Sequence, residues 1–314
     1  MNEKRVIAVV GATGAQGGGL CRAILNDRSG GFACRAITRD PNKADAKALA
    51  AQGADVVKAD IDDIGSLKRA FAGAHGAFCV TNFWEHFSAE KEKAQAKNLA
   101  DAARVAGVSH VIWSTLEDTR PLMSPSDTRM PMLQERFRVP HFDAKAEADA
   151  FFADLPTTFL VTSFYWENLY KFGMGPKRGD DGQYSWTFPM GNKRLAGMGA
   201  EDIGNVAYAI FKGGSRYIGQ RIGIAGEHLT IEEMGRKLSQ ALGIGPVKYN
   251  AVEPDDYRKF GFPGADEMGN MFQIYRDFEA AVVGARDVNA TRALYPGLQT
   301  FDRWLAANKD KIEV

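Results

Sequence analysis

Cysteine is scarce in this chain: Cys21, Cys34 and Cys79 are the three among 314 residues. They are odd in number, lack a C-x-x-C spacing and sit inside apolar runs as small core residues do, so a disulfide framework is excluded and a reduced, cytoplasmic protein is expected. An excess of one charge is also missing, 39 basic residues balancing 39 acidic ones. That balance removes the electrostatic footprint of nucleic-acid or anionic-membrane binding. The five histidines form no i,i+4 pair, which argues against a metal site. No apolar run approaches the roughly 18 residues of a membrane span. The N-terminal stretch MNEKRVIAVVGATG passes from a charged start straight into a glycine turn, so no targeting segment is expected.

What is present is the composition of an ordinary globular protein, 45% hydrophobic and 25% charged, in a chain long enough for about two domains. Up to residue 165, short apolar runs alternate with helical patterns, the signature of βαβ units. Strands are expected at 6–10, 34–38, 56–59, 77–81, 108–114 and 158–162, and helices at 90–106 and 144–155 among others. Right-handed crossovers between such strands build an α/β Rossmann fold, a doubly wound parallel sheet. Beyond 165 the texture turns glycine- and aromatic-rich. We expect a dinucleotide-binding domain over 1–165 and a smaller, mostly C-terminal α/β cap domain over 166–314 for substrate or partner, with some segments returning to the sheet. Within the cap, Thr230-Ile231-Glu232-Glu233 reads as a capping box opening a helix to Leu242, and Pro254 suits a first helical turn. The run EKEKAQAK over 90–97 reads as a solvated helix face.

After the first strand come Gly11, Ala12, Thr13, Gly14, Ala15, Gln16, Gly17, Gly18 and Gly19, then a helical pattern over 20–25. The spacing is G-x-x-G-x-x-G rather than G-x-G-x-x-G, but the physics is shared. Glycines permit a tight turn and close backbone approach, while the helix N-terminus offers amides and a positive dipole end to a pyrophosphate. At the head of the first βαβ unit, Gly11 through Gly17 read as a dinucleotide-binding turn, with an ordinary strand–helix turn as the competing reading.

The second strand ends at Thr38-Arg39-Asp40-Pro41-Asn42-Lys43. An acidic residue at that strand end accepts the ribose hydroxyls of NAD, whereas an arginine favours the 2′-phosphate of NADP. Arg39 holds the position and Lys43 adds a second cation, so NADP(H) is the expected cofactor; the competing reading gives the ribose to Asp40. Asp60, ending the third strand, reads either as a partner of the adenine amine or as a helix cap.

Taken together, GATGAQGG, Thr38-Arg39-Asp40-Pro41, Thr81-Asn82-Phe83-Trp84-Glu85, His141-Phe142-Asp143-Ala144-Lys145 and Tyr165-Trp166-Glu167-Asn168-Leu169 resemble the NmrA-like family. This is an atypical branch of the short-chain dehydrogenases/reductases that includes an NADPH-sensing member. The resemblance continues through Gly182-Gln183-Tyr184, Ala200-Glu201-Asp202-Ile203-Gly204 and Gly261-Phe262-Pro263-Gly264-Ala265, nearly the whole chain. It implies a Rossmann domain carrying NADP(H), with Gly11 to Gln16 on the phosphates, Arg39 and Lys43 on the 2′-phosphate and Asp60 near adenine. It further implies Thr81, Asn82 and Phe83 along the ribose, and Lys145 with Tyr165, Trp166 and Asn168 near the nicotinamide. One departure is that Ala94 stands where the sensor has a lysine, with Lys93 adjacent.

Dehydrogenases of this superfamily use a Tyr-x-x-x-Lys pair, in which the lysine depresses the phenol's pKa and the phenol passes a proton. Here the lysine is Lys145 and the tyrosine position is His141. Histidine can do acid–base work, but beside Pro140 at a helix entry a structural role competes. Ser114 and Thr115 end the fifth strand, where a hydroxyl can polarise a carbonyl or merely form a turn. Candidate catalytic residues are therefore Lys145, His141 and Ser114, with Tyr165 as a substitute phenol or a ring beside the nicotinamide. Trp84, His86, Phe87, Trp113, Trp166 and Trp186 form either an aromatic rim to the crevice or core. Two functions follow: an NADP(H) sensor or regulator acting on a protein partner, or an NADPH-dependent oxidoreductase of a small carbonyl, quinone-like or conjugated substrate. A second copy of the chain is a further candidate partner. The Thr119–Pro140 insertion, rich in Pro, Met and Arg, is open to being a wall of the cleft or a lid.

Overall fold

Six apolar runs condense into parallel strands, β1 (Arg5–Val9), β2 (Phe32–Thr38), β3 (Asp55–Lys58), β4 (Gly76–Cys79), β5 (His110–Thr115) and β6 (Thr157–Val161), each within about two residues of expectation. The structure is a computed structural model and describes residues 3–124 and 126–314. Pro125, inside the insertion, lies outside the described residues. The sheet runs β3-β2-β1-β4-β5-β6 and ends in a short edge strand, Arg221–Gly223. That three-residue strand was not foreseen, because it is too short to show a period. The paired registers of β1 through β6 are all parallel. Between β1 and β4 the order reverses, which places the loops after both strands at the topological switch point where open α/β sheets take ligands.

Helices α1 (Ala15–Asn26), α2 (Ala44–Ala51), α3 (Ile64–Phe71), α4 (Ala89–Ala106) and α5 (Pro140–Ala148) make the crossovers. The helix expected at 144–155 is corrected. It starts at Pro140 and gives way at Asp149 to a 3-10 turn, Asp149–Phe152. There the Asp149 carboxylate accepts from Trp113 Nε1 (2.9 Å), Thr115 Oγ1 (2.6 Å) and Arg221 Nη1 (2.6 Å), drawing the chain back onto β5. Burial pushes the Asp149 carboxyl above its ordinary pKa, against the opposing effect of these donors. The core on this side of the sheet gathers Leu67, Phe71, Cys79, Leu99, Trp113 and Phe152, with the last two rings stacked at 4.6 Å.

A second helix, Ala200–Gly213, lies backbone to backbone on α1. A Cβ on Gly19 would stand 2.8 Å from the Glu201 carbonyl oxygen, and one on Gly204 would stand 2.1 Å from the Leu20 nitrogen. Two glycines thus set the crossing, and Arg22 Nε ties it by donating to both Glu201 oxygens (2.9 and 3.1 Å). Gly19 is a packing glycine, separate in role from Gly11, Gly14 and Gly17.

The chain divides into two units. The first comprises residues up to Asp118, His141–Thr162 and Ala200–Ile222; the second comprises Thr119–Pro140, Ser163–Gly199 and Gly223–Val314. Of the residues before 165, Thr119–Pro140 is grouped with the second unit, and of those after it the helix Ala200–Gly213 is grouped with the first, where some later segments were expected to return. The second unit holds two three-stranded sheets. One orders Glu227–Thr230, Arg194–Met198 and Phe164–Tyr165, and the other Val247–Ala251, Tyr184–Phe188 and Lys177–Arg178. The insertion is fastened within this unit. Buried Asn270 donates to the carbonyls of Pro131 (3.0 Å) and Arg138 (2.6 Å), and Gln273 to that of Arg129 (3.1 Å). No helix among the described residues is long and apolar enough to cross a membrane.

Candidate functional site

The turn after β1 owes its shape to glycine. Gly11 has φ +64°, a left-handed conformation that L side chains rarely adopt. Its carbonyl accepts from Gly14 N at 2.8 Å, and a Cβ on Gly17 would stand 2.4 Å from the same oxygen. Gly11 and Gly14 face solvent while Ala12 and Gly17 are buried. Gly14 caps α1 without a side chain, so the first turn of the helix presents backbone amides and a positive dipole end at the mouth of the loop. The turn is too tight for a Cβ at Gly17, and its amide-bearing mouth suits a phosphate-bearing ligand.

At the end of β2, Arg39 is exposed and already engaged. Its Nη1 donates to Glu85 Oε2 at 3.0 Å and its Nη2 to Oε1 at 2.9 Å, a two-pronged pair. Lys43 is exposed at the start of α2. The Asp40 carboxylate accepts from Asn42 N (2.9 Å) and that of Asp60 from Asp62 N (2.9 Å), each closing a local turn. The cap reading of Asp60 is corrected: α3 is capped by Asp63, which accepts from Gly65 N (2.9 Å) and Ser66 N (3.2 Å). Position relative to the helix start decides this: α3 begins at Ile64, so its cap position is Asp63, three residues beyond Asp60.

After β4, Thr81, Lys145 and a residue that sequence reasoning missed, Glu92, converge. Lys145 Nζ donates to Thr81 Oγ1 (2.6 Å) and lies 2.8 Å from Glu92 Oε1, to which the Thr81 hydroxyl also donates (2.6 Å). Glu92 is 0% exposed. Burial alone would raise its carboxyl, but the Lys145 ammonium and the donors around it hold it down at about 2. His86 Nδ1 accepts from Ser88 N (3.1 Å), which leaves the ring proton on Nε2, 3.5 Å from Glu92 Oε2. The solvated-face reading of 90–97 is corrected at Glu92 and Gln95, both buried. The signal was spacing: Glu92, Ala96, Leu99 and Ala103 fall at i, i+4, i+7 and i+11 on one helical stripe. Lys93, beside Ala94, pairs with Glu147 (3.1 Å) and Glu90 (2.8 Å).

Asn82 and Phe83 lead into a short helix, Phe83–Glu85, whose rings close on α5. His141 is 5% exposed, with ring centroids of Trp84 at 4.9 Å, Phe83 at 5.7 Å and Phe142 at 4.6 Å. Phe87 lies edge-on to Trp84 at 5.7 Å with φ +52°. Trp84, His86, Phe87 and His141 thus come together. For the remaining aromatic candidates the core reading holds: Trp113 is 0% exposed in the first unit, and Trp166 and Trp186 are 1% and 4% exposed in the second. The Trp166 ring packs on Phe301 (5.2 Å) and Trp304 (6.0 Å), so its side chain is no platform for a nicotinamide. Tyr165 and Asn168 stand half-buried in that same unit, beside Trp166. Ser114 is buried at the end of β5, and Thr115 Oγ1 is bonded to Asp149.

This arrangement has parallels. The NmrA-like family domain-containing oxidoreductase FrzB of Cladobotryum sp is 28% identical over 281 residues, spanning 85% of this chain and 82% of its own. The crystal structure of NmrA, a negative transcriptional regulator, in complex with NADP is 25% identical with a TM-score of 0.78, covering 97% of this chain and 95% of that one. The Citrobacter sp. triphenylmethane reductase complexed with NADP(H), 18% identical, shares the fold at a TM-score of 0.71 over 98% of this chain and 99% of that one. The sequence profile of the NmrA-like family matches residues 3–305, so a glycine cradle at the sheet's switch point and a nearly full-length match agree that this chain belongs to the NmrA-like family.

Proposed function

We propose that the protein binds NADP(H) and acts as a regulator whose occupancy by the cofactor is read by a protein partner. The pyrophosphate would sit on the Gly11–Gly17 turn, the 2′-phosphate on Arg39 and Lys43, the adenine near Asp60, and the riboses along Thr81, Asn82 and Phe83, with Lys145 toward the nicotinamide. The observation that carries the regulatory reading is Lys145. Its ammonium is held by Glu92 and Thr81 in a 0% exposed carboxylate's grip, and the residue one turn before it is His141, packed among rings rather than a phenol. A lysine so engaged can bind a ribose hydroxyl, but it has no phenol one turn away to activate. Calorimetric titration tests the cofactor assignment: NADPH binds more tightly than NADH, and Arg39→Ala narrows the gap by about 1.5 to 3 kcal/mol, the usual worth of charge-assisted hydrogen bonds. Equal affinities in the unmodified protein would overturn the role of Arg39.

A second reading, an NADPH-dependent oxidoreductase, is supported by the relatives named as oxidoreductases and by the half-buried Trp84 beside His141, a surface suited to a flat apolar substrate. Bound NADPH would supply the hydride. Incubation of protein and NADPH with a panel of carbonyls and quinones, followed by absorbance loss, separates the two: steady turnover that vanishes in the double variant Lys145→Met with Glu92→Leu, shown by circular dichroism to be folded, establishes the enzyme, and silence favours the regulator.

A further inference from the structure

The most telling feature outside the lysine network is that the cation expected to read the 2′-phosphate is occupied by an acid of this chain. Arg39 presents its planar fork to Glu85, two N–H groups on two oxygens at 3.0 and 2.9 Å. That is the geometry with which a guanidinium takes a phosphate. Glu85 ends the short helix Phe83–Glu85, so its position is that of the aromatic segment itself. Trp84 rests on His141 at 4.9 Å and Phe87 on Trp84 at 5.7 Å, with Phe87 in a left-handed conformation costly for an aromatic residue.

Resting on the reading that the cradle binds NADP(H), we propose that Glu85 is a specificity-determining residue, an internal anion that competes with the 2′-phosphate for Arg39. A dinucleotide without that phosphate leaves the Arg39–Glu85 pair in place, and its 2′-hydroxyl has no need to displace a carboxylate. One that carries it competes with Glu85 for the Nη1 and Nη2 donors and displaces the carboxylate where it takes them, because an N–H pair already given to two carboxylate oxygens cannot also be given to a phosphate. Expulsion releases the segment 83–87 from its tether to the end of β2, so Trp84 leaves its present contact with His141. The preference for NADP(H) over NAD(H) is thereby set lower than Arg39 alone would make it, and only the phosphorylated cofactor is coupled to movement of the aromatic segment.

Adenosine 2′,5′-bisphosphate and 5′-AMP are suitable probes, because they differ at the 2′ position and neither can react. Four of the five tryptophans, Trp113, Trp166, Trp186 and Trp304, are buried, and Trp84 is half-buried. The emission difference between the unmodified protein and Trp84→Phe therefore isolates the segment. The expected result at fixed low ionic strength is that Glu85→Gln binds the bisphosphate about five-fold more tightly, the equivalent of an exposed ion pair near 1 kcal/mol, with 5′-AMP affinity unchanged. Arg39→Ala abolishes that gain, and in the unmodified protein the bisphosphate but not 5′-AMP changes the Trp84 emission. Bisphosphate affinity that is the same in Glu85→Gln and Glu85→Asp as in the unmodified protein overturns the proposal while leaving dinucleotide binding standing. Failure of both nucleotides and of NADPH itself to bind any variant overturns the cofactor reading, and this inference with it.

Discussion

Lys145 and Glu92 form an ion pair in which the carboxylate is wholly buried, Nζ to Oε1 at 2.8 Å, with Thr81 bonded to both partners. Removing one charge from such a pair strands the other, which is worse than removing both. Glu92→Gln is expected to cost about 3 to 5 kcal/mol in chemical denaturation, and Glu92→Leu combined with Lys145→Met to recover most of it. The carboxyl is held at about 2, below its ordinary 4.5. The folded state therefore binds fewer protons than the unfolded state in this window, and the pair's contribution is whole above about pH 4.5 and lost as pH falls toward 2. A double variant no less sensitive to acid in that window would contradict the assignment.

His110 supplies a second pH dependence at a higher range. Its Nε2 is 2.8 Å from Thr158 Oγ1, whose own proton goes to the Tyr217 carbonyl (2.8 Å), so the ring is a neutral Nε2–H donor. Burial, with a smaller contribution from His75, lowers its pKa from 6.5 to about 4. The unfolded chain takes up the proton first as pH falls, so stability is full above 6.5 and declines to pH 4, by about 3 kcal/mol at most. Thermal unfolding of His110→Asn between pH 7 and 4 should show a flatter slope than the unmodified protein.

The α1 crossing makes a sharp steric forecast. Gly204→Ala places a methyl 2.1 Å from the Leu20 backbone nitrogen, and backbone cannot swing aside. A loss of about 3 kcal/mol is expected. Gly284, at the end of the helix Glu279–Gly284 with open space around it, is the control: Gly284→Ala should gain about 0.5 to 1 kcal/mol. Equal effects at the two sites would refute the close approach.

Asn270 holds the insertion within the second unit through two backbone carbonyls and the Arg258 guanidinium (3.0 Å). Asn270→Ala leaves those groups without their partner and should cost about 2 kcal/mol. Limited proteolysis should then cut faster inside Thr119–Pro140; an unchanged cutting rate would show that other contacts suffice.

Local rules were readable where local physics decides. The capping box Thr230–Glu233 is present, with Glu233 N on Thr230 Oγ1 at 3.1 Å and Thr230 N on Glu233 Oε2 at 2.9 Å, and its helix runs Ile231–Leu242. Pro254 stands at a helix start. Glu92 was hidden because a charged side chain in a run of charges looks solvated until its partner, 53 positions later at Lys145, is brought to it. Trp113 and Trp166 were hidden for the converse reason: an aromatic ring reads the same in a core and at a rim, and only neighbours distinguish the two.

The order of apolar runs and the glycines after the first of them are properties of the chain alone, since a parallel doubly wound sheet follows from the period of hydrophobicity and a left-handed turn from the absence of a Cβ at Gly11. Tertiary structure alone decided which acid meets which base. Glu85 on Arg39 and Glu92 on Lys145 are pairings between segments far apart in sequence, and charge carries no label of its partner until the folded backbone sets the distance.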